Sequence, residues 1–316
     1  MVRISFIIPL YNCLPLTQAM LTSLRATLPA GLAHEVIFID DGSTDGTRDW
    51  LATLGSPPFR VVLNERNLGY AVSNNRGAAG ATGEFLALLN NDLILQPGWL
   101  EPMLEAHASL GARAGLIGNV QRDARTGIVD HAGLEINVTG KPTHIRALPP
   151  TISRWLRPIR PIPAVTGACL LVERALWQQL GGFDEGFHNG GEDIDLGFRA
   201  RATGRINAVA LRSVIRHHVS SSPGRKTRDE ENSYRLARRW CDEFRADALR
   251  TWCRDYLAAT FREVNSEEYR TVLESAAFGA CISNDAPARA LAEVAAGMAR
   301  EFARWESMFP GVAADS

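Results

Sequence analysis

The chain has almost no lysine: Lys141 and Lys226 are the only two, so 32 of its 34 basic residues are arginine. We read that mainly as coding bias. Neither sign of charge is in excess, since 34 basic residues face 35 acidic ones and the formal net charge is −1. A grossly basic nucleic-acid binder is excluded, although local patches are not. No stretch approaches the roughly 18 apolar residues of a membrane span. The five cysteines, at 13, 169, 241, 253 and 281, are odd in number and contain no CxxC pair. Neither a disulfide framework nor a zinc site is expected, and a reducing compartment is. The 27 glycines and 16 prolines are too few and too scattered for a collagen-like or low-complexity chain. Residues 1–9 lack the apolar core and cleavage site of a signal peptide and read as a first strand. The expectation is a cytoplasmic protein whose membrane contact, if any, is peripheral at the inner face.

What remains is a soluble globular composition, 46% hydrophobic and 22% charged over 316 residues, long enough for an α/β domain with an appendage. Short apolar runs at 4–8, 35–39, 60–63, 84–89 and 115–118 have the length of strands buried on both faces. Helix-like segments lie between them near 15–28, 44–54, 70–80 and 97–110. Such alternation predicts right-handed βαβ units and a mostly parallel sheet, with ligands bound beyond the carboxyl ends of the strands. The interval 123–163 breaks the pattern. Six prolines between Pro142 and Pro163, interleaved with Arg146, Arg154, Arg157 and Arg160, predict an extended loop crossing the sheet's ligand edge, without regular helix or central strand. Regularity returns with a strand at 165–172, helices at 173–180 and 192–203, and strands at 206–210 and 214–217. From about 225 the pattern is helical, with segments at 234–244, 246–260, 266–278 and 286–308. The expected division is therefore 1–224 and 225–316.

Four segments carry chemistry. The run Ile37-Phe38-Ile39-Asp40-Asp41-Gly42-Ser43-Thr44-Asp45-Gly46 ends an apolar strand in two carboxylates and a glycine turn. Thr44 and Asp45 read as helix caps. Asp40, closing a buried strand, needs a partner because an unpaired buried carboxylate is costly; the N–H edge of uracil or thymine would supply one. Leu89-Asn90-Asn91-Asp92 places two amides and an acid where another buried strand ends, oxygen ligands suited to Mg²⁺ or Mn²⁺ with substrate phosphates completing the shell. Gly190-Gly191-Glu192-Asp193-Ile194-Asp195 opens a helix with three acids in four positions, more than capping needs, where the dipole favours ionised carboxylates. A carboxylate kept ionised at a cleft is what a general base requires. His217, at the end of the strand 214–217, is plausible as a ligand only beside an acidic site short of ligands.

In this order and spacing the four segments resemble the family 2 glycosyltransferases of the GT-A fold. Pro9-Leu10-Tyr11-Asn12, Asn67-Leu68-Gly69-Tyr70-Ala71, Asn75-Arg76-Gly77 and Gly181-Gly182-Phe183-Asp184-Glu185 extend the match, which covers about residues 3–222. The nearest look is that of bacterial rhamnosyltransferase-like enzymes. The resemblance implies an α/β GT-A fold with a mostly parallel central sheet, flanking helices and a C-terminal helical appendage. It also implies sites. Pro9, Tyr11, Asn12 and Asp40 would hold the pyrimidine nucleoside of a UDP- or dTDP-sugar, with Asn75, Arg76 and Asn91 near the donor. Asp92 matches the last acid of the family's DxD motif and would bind a divalent cation, Mn²⁺ or Mg²⁺, with His217 as a further ligand. Asp193 matches the general base, with Glu192 beside it. The implied reaction is inverting transfer to a glycan or lipid-linked acceptor in surface polysaccharide synthesis. The motif here reads Asn90-Asn91-Asp92, so its first acid is missing.

An NAD-dependent oxidoreductase is disfavoured because the first strand is followed by Pro9-Leu10-Tyr11-Asn12 and not by GxGxxG. A nucleotidyltransferase would want a Gly/Arg-rich phosphate loop there. The remaining alternative is a transferase-like subunit that has lost turnover, suggested by Asn90 alone. The helical tail matches nothing with a known role; a homo-oligomer contact, a membrane surface or packing on the catalytic domain are its open uses.

Overall fold

The computed structural model describes residues 3–55, 57–218, 228–260 and 269–310. The expected boundary at 224–225 and the expected helix start at 266 lie outside them. The chain forms two compact units, one of residues 1–134 and 144–228 and the other of 135–143 and 229–316.

In the first unit the order is β1 (Arg3–Leu10), α1 (Leu14–Thr27), β2 (Ala33–Asp40), α2 (Thr47–Ala52), β3 (Phe59–Leu63), α3 (Tyr70–Ala79), β4 (Phe85–Leu89), β5 (Leu93–Ile94), α4 (Glu101–Leu110), β6 (Ala114–Asp123) and β7 (Val129–His131). The short pair β8 (Leu134–Ile136) and β9 (Pro142–His144) follows, then α5 (Thr151–Leu156), β10 (Ile159–Pro161), β11 (Cys169–Glu173), α6 (Arg174–Leu180), α7 (Glu192–Ala202) and β12 (Ile206–His217). The main sheet runs β10-β12-β6-β11-β4-β1-β2-β3. Strands β3, β2, β1 and β4 are parallel, as are β6 and β12. Antiparallel β11 joins the two groups.

Both faces of this sheet are covered, which is why its strands are nearly uninterrupted apolar runs. Phe6, Ile8, Phe38 and Leu89 pack with Met20, Leu24 and Met103 of α1 and α4. Their neighbours Ile7, Ile37, Ile39 and Leu88 point the other way, onto Ala78, Leu176 and Leu196 of α3, α6 and α7. Helix α3 comes so close that a Cβ on Gly77 would lie 2.6 Å from Ile39 Cδ1.

Three expectations change. The interval 123–163 is not one extended loop: it contains β7, the helix α5 and the strand β10. Its prolines bracket these elements. Pro150 precedes the first turn of α5, Pro158 follows its end, and Pro161 sits on a strand at the sheet edge, where proline is tolerated. The strands expected at 206–210 and 214–217 are one strand, β12, with an irregularity between Ala210 and Val214. Residues 135–143 cluster with the helices of the second unit.

That second unit holds α8 (Asp229–Arg239), α9 (Cys241–Thr260), α10 (Tyr269–Gly279) and α11 (Ala288–Met308). Lys141 reaches Glu230 at 2.9 Å and Glu301 at 3.1 Å, and Trp305 Nε1 donates to Glu230 at 2.7 Å. Burial alone would raise the Glu230 pKa, but bonds from Lys141, Trp305 and Arg304 outweigh it and hold it at about 2.

At the other end of the main sheet, the buried Glu35 carboxylate accepts from Ser5 Oγ at 2.7 Å, from the Thr82 N–H and hydroxyl at 2.7 and 2.6 Å, and from Arg60 at 3.1 Å. Burial pushes its pKa up, and these bonds more than reverse that, to about 2. Because the folded value lies below the unfolded one, Glu35 stabilises the fold above its ordinary pKa. That contribution, on the order of 3 kcal/mol, is lost as pH falls from about 4.5 towards 2. Urea denaturation should therefore show wild type more stable than Glu35→Gln at pH 7, with the gap closing by pH 3. An unchanged gap would show that Glu35 is not held ionised.

Candidate active site

The chemistry-bearing segments gather at the carboxyl ends of β1, β2, β4 and β12 and at the start of α7. Asn12, in the left-handed region at φ 56°, receives the Thr44 N–H on Oδ1 at 2.8 Å and gives its own N–H to Ser43 Oγ at 2.8 Å. Gly42 allows the turn to close: it has φ +84°, and a Cβ there would lie 2.8 Å from the Arg66 backbone. Asp45 accepts from the N–H of Leu14 at 2.9 Å and from the N–H and hydroxyl of Thr47 at 3.2 and 2.6 Å. It serves the starts of α1 and α2 at once, the structural role expected of it. Pro9 is half-buried on β1 beside Ile39, and Tyr11 stands 49% exposed beyond the strand end.

Asp40 is not unpartnered, contrary to the sequence argument. It is fully buried, yet Arg48 Nε donates to it at 2.6 Å and the Ser43 N–H lies 3.3 Å from both oxygens. Arg48 comes from α2, which folds back over the end of β2, and it also donates to the Asn64 carbonyl. Asp41 is equally engaged, receiving Asn64 Nδ2 at 2.8 Å and the N–H groups of Leu68 and Gly69 at 2.9 Å each. Asn64 Oδ1 in turn accepts from the exposed Arg76 at 2.6 Å. Asn75 faces elsewhere: it exchanges 2.9 Å bonds with the backbone of Phe183 and donates to Glu185 at 2.9 Å, fastening α3 to the loop after α6.

On the other side of the cleft Asn91 Nδ2 donates to Thr17 Oγ1 at 2.9 Å. Asp92 and His217 are both buried, with Asp92 Oδ1 and His217 Nε2 3.1 Å apart. Neither atom makes a well-directed hydrogen bond, and Asn90 Oδ1, at the same turn, is a third buried oxygen without a partner. A shared approach without a directed bond suits two ligands converging on one cation. Among the described residues no group of three His, Cys, Asp or Glu side chains could hold a metal ion. The set fits a hard cation only if a substrate completes its shell.

The three acids of α7 divide their roles. Asp195 is buried in a 2.7 Å pair with Arg199, which also donates to the Gly182 carbonyl at 2.8 Å. Glu192 accepts from the Gly190 N–H at 2.8 Å. Asp193 accepts from the N–H of Gly167 at 2.7 Å and of Ile194 at 2.8 Å. The next carbonyl after Gly167, that of Ala168, accepts from the Asn90 N–H at 2.9 Å. One dipeptide thus ties Asp193 to the turn that carries Asp92.

Sequence reasoning missed two histidines. His131 is 1% exposed with neither ring nitrogen hydrogen-bonded, and its ring meets that of His144 at 4.9 Å, edge on. Burial, with His144 and His217 nearby, pushes His131 well below the ordinary imidazole range. Burial also lowers His144, against the opposing fields of Asp130 and Asp193. Two histidines thirteen residues apart in a proline-rich stretch carry no spacing signal.

A family model described as Glycosyl transferase family 2 matches residues 5–181. The chain belongs to this family. Among its relatives, N-acetylglucosaminyl-diphospho-decaprenol L-rhamnosyltransferase of Mycobacterium tuberculosis is 32% identical over 212 residues, 60% of this chain and 68% of that protein. The O-antigen biosynthesis protein RfbC of Myxococcus xanthus is 29% identical over 70% of this chain. The chain spans 18% of RfbC and 26% of an uncharacterized Sinorhizobium fredii protein that it also matches, so it corresponds to a fraction of their length. Of solved structures, GalNAc-T7 with UDP, GalNAc and Mn²⁺ superposes with a TM-score of 0.62 at 19% identity, over 77% of this chain and 50% of that one. Staphylococcus aureus TarS 1–349 with UDP-GlcNAc gives 0.58 at 16% identity, over 98% and 91%. At such identities the likeness is of fold, and the fold is GT-A, as the family 2 motifs implied. No helix among the described residues is long and apolar enough to cross a membrane.

Proposed function

We propose that this family 2 chain is an inverting glycosyltransferase. It would move a sugar from a UDP- or dTDP-linked donor to a hydroxyl of a glycan or lipid-linked acceptor in bacterial surface polysaccharide synthesis. The observation that carries this reading is the joining, through Gly167 and Ala168, of the Asp193 carboxylate to the turn bearing the unpartnered Asp92 oxygen. Proton acceptor and metal-binding pair then lie on one lip of the cleft.

Asp193 would take the proton from the acceptor hydroxyl as that oxygen attacks the anomeric carbon, and the nucleoside diphosphate leaves with the bonding electrons. Two backbone N–H groups fix its orientation, and the start of α7 favours its ionised form. Asp92 and His217 would hold Mn²⁺ or Mg²⁺, which supplies positive charge against the departing diphosphate. Asn90 does not argue for an inactive subunit, because its amide oxygen is itself an acceptable ligand for a hard cation. Pro9, Tyr11 and Asn12 line the nucleoside end. Asp40 would act there through the Arg48 pair, as a group that shapes the pocket floor. Glu192 would support the loop before the base.

Single displacement fixes stereochemistry. Donor hydrolysis in the absence of acceptor should release sugar of the opposite anomeric configuration, read by proton NMR before mutarotation. Retention at early times would overturn the proposed mechanism.

A further inference from the structure

Helix α5 presents its apolar side chains to solvent. Ile152, Trp155 and Leu156 are 74%, 66% and 78% exposed. Their spacing, i, i+3 and i+4, puts all three on one face of the helix. A cluster of this size at the surface of a soluble protein marks an interaction site. The charge around it has one sign. No acidic residue occurs between 144 and 172, whereas Arg146, Arg154, Arg157 and Arg160 do. Acids from elsewhere reach only the margins, with Asp130 at Arg146 and Glu105 at Arg212. Arg212 also lies 5.4 Å from the Trp155 ring centroid, beneath the apolar face. Its strand, β12, reaches His217 five residues later.

We infer that α5 docks this chain on the surface of an anionic phospholipid bilayer, with Ile152, Trp155 and Leu156 entering the headgroup boundary and the surrounding arginines meeting lipid phosphates. An exposed apolar stripe containing tryptophan and flanked by arginine is what an interfacial segment requires. A protein groove would satisfy the apolar face alone; the acid-free stretch around it adds a preference for an anionic plane. Docking here needs neither donor, metal nor turnover, so it stands or falls separately from the proposed reaction.

The test is sedimentation of the full chain with vesicles of phosphatidylglycerol and phosphatidylcholine, and with phosphatidylcholine alone. Binding is expected to the anionic vesicles and to be at least tenfold weaker for the variant combining Ile152→Ser, Trp155→Ser and Leu156→Ser. Arg157→Gln alone should weaken it about fivefold, the factor expected of one arginine at an anionic surface. These side chains are exposed, so the variants should keep the wild-type circular dichroism and unfolding midpoint, and that control is read alongside. Equal binding by wild type and triple variant, or none by wild type, overturns the inference. So does a wild-type dimer in analytical ultracentrifugation that the triple variant loses, which would assign the face to a second copy of this chain.

Discussion

Asp193→Asn should lower sugar transfer by about 10²–10⁴-fold, the typical worth of a general base, while donor affinity stays at the wild-type level. The separation follows from the geometry. Asparagine has the same shape, and its Oδ1 can still accept the Gly167 N–H that aspartate receives at 2.7 Å. The dipeptide joining α7 to the Asn90 turn, and with it the donor side of the cleft, should persist. What is lost is the proton acceptor. Glu192→Gln should cost much less, because the Glu192 carboxylate is spent on the Gly190 N–H. Turnover of Asp193→Asn near the wild-type rate, or an equal loss in both variants, would show that the base lies elsewhere.

The second large effect concerns Asp92 and His217. Two buried atoms held 3.1 Å apart without a directed bond leave polar groups unsatisfied, a cost of about 1–3 kcal/mol each. A bound cation would relieve it. Mn²⁺ with a nucleotide-sugar should therefore raise the unfolding midpoint of wild type, as any ligand specific to the folded state does. In Asp92→Asn and His217→Ala that metal-dependent rise should disappear. The metal-free midpoint of each variant should not fall in step, because no good bond is removed.

How much of this was legible depended on whether the causes were local. The strands of the main sheet were readable because burial on both faces makes Ile7 and Phe38 alike apolar. Asp45 was readable because capping acts within a few residues. Asp40 was misjudged because its partner, Arg48, arrives only when α2 folds back over the strand end. Eight residues of separation is no motif. Asp193 and Asp195 look equivalent in sequence, and only the packing of Arg199 against the loop after α6 removes Asp195 from the cleft. Helix α5 was hidden by counting prolines without their positions. The same residues that forbid a helix interior are well placed just outside its ends. His131 had no signal at all, since its burial depends on β7 returning alongside β6.

The account's central claim is a nucleotide-sugar site completed by a divalent cation at Asp92 and His217. Its most direct test is calorimetric titration of UDP-, dTDP- and GDP-sugars into the full chain, with Mn²⁺ and again with EDTA, repeated on Asp92→Asn. Binding of a pyrimidine nucleotide-sugar that strengthens with Mn²⁺ in wild type and not in Asp92→Asn is the predicted result. Donor binding indifferent to EDTA and to Asp92, or no binding of any donor under either condition, would contradict it.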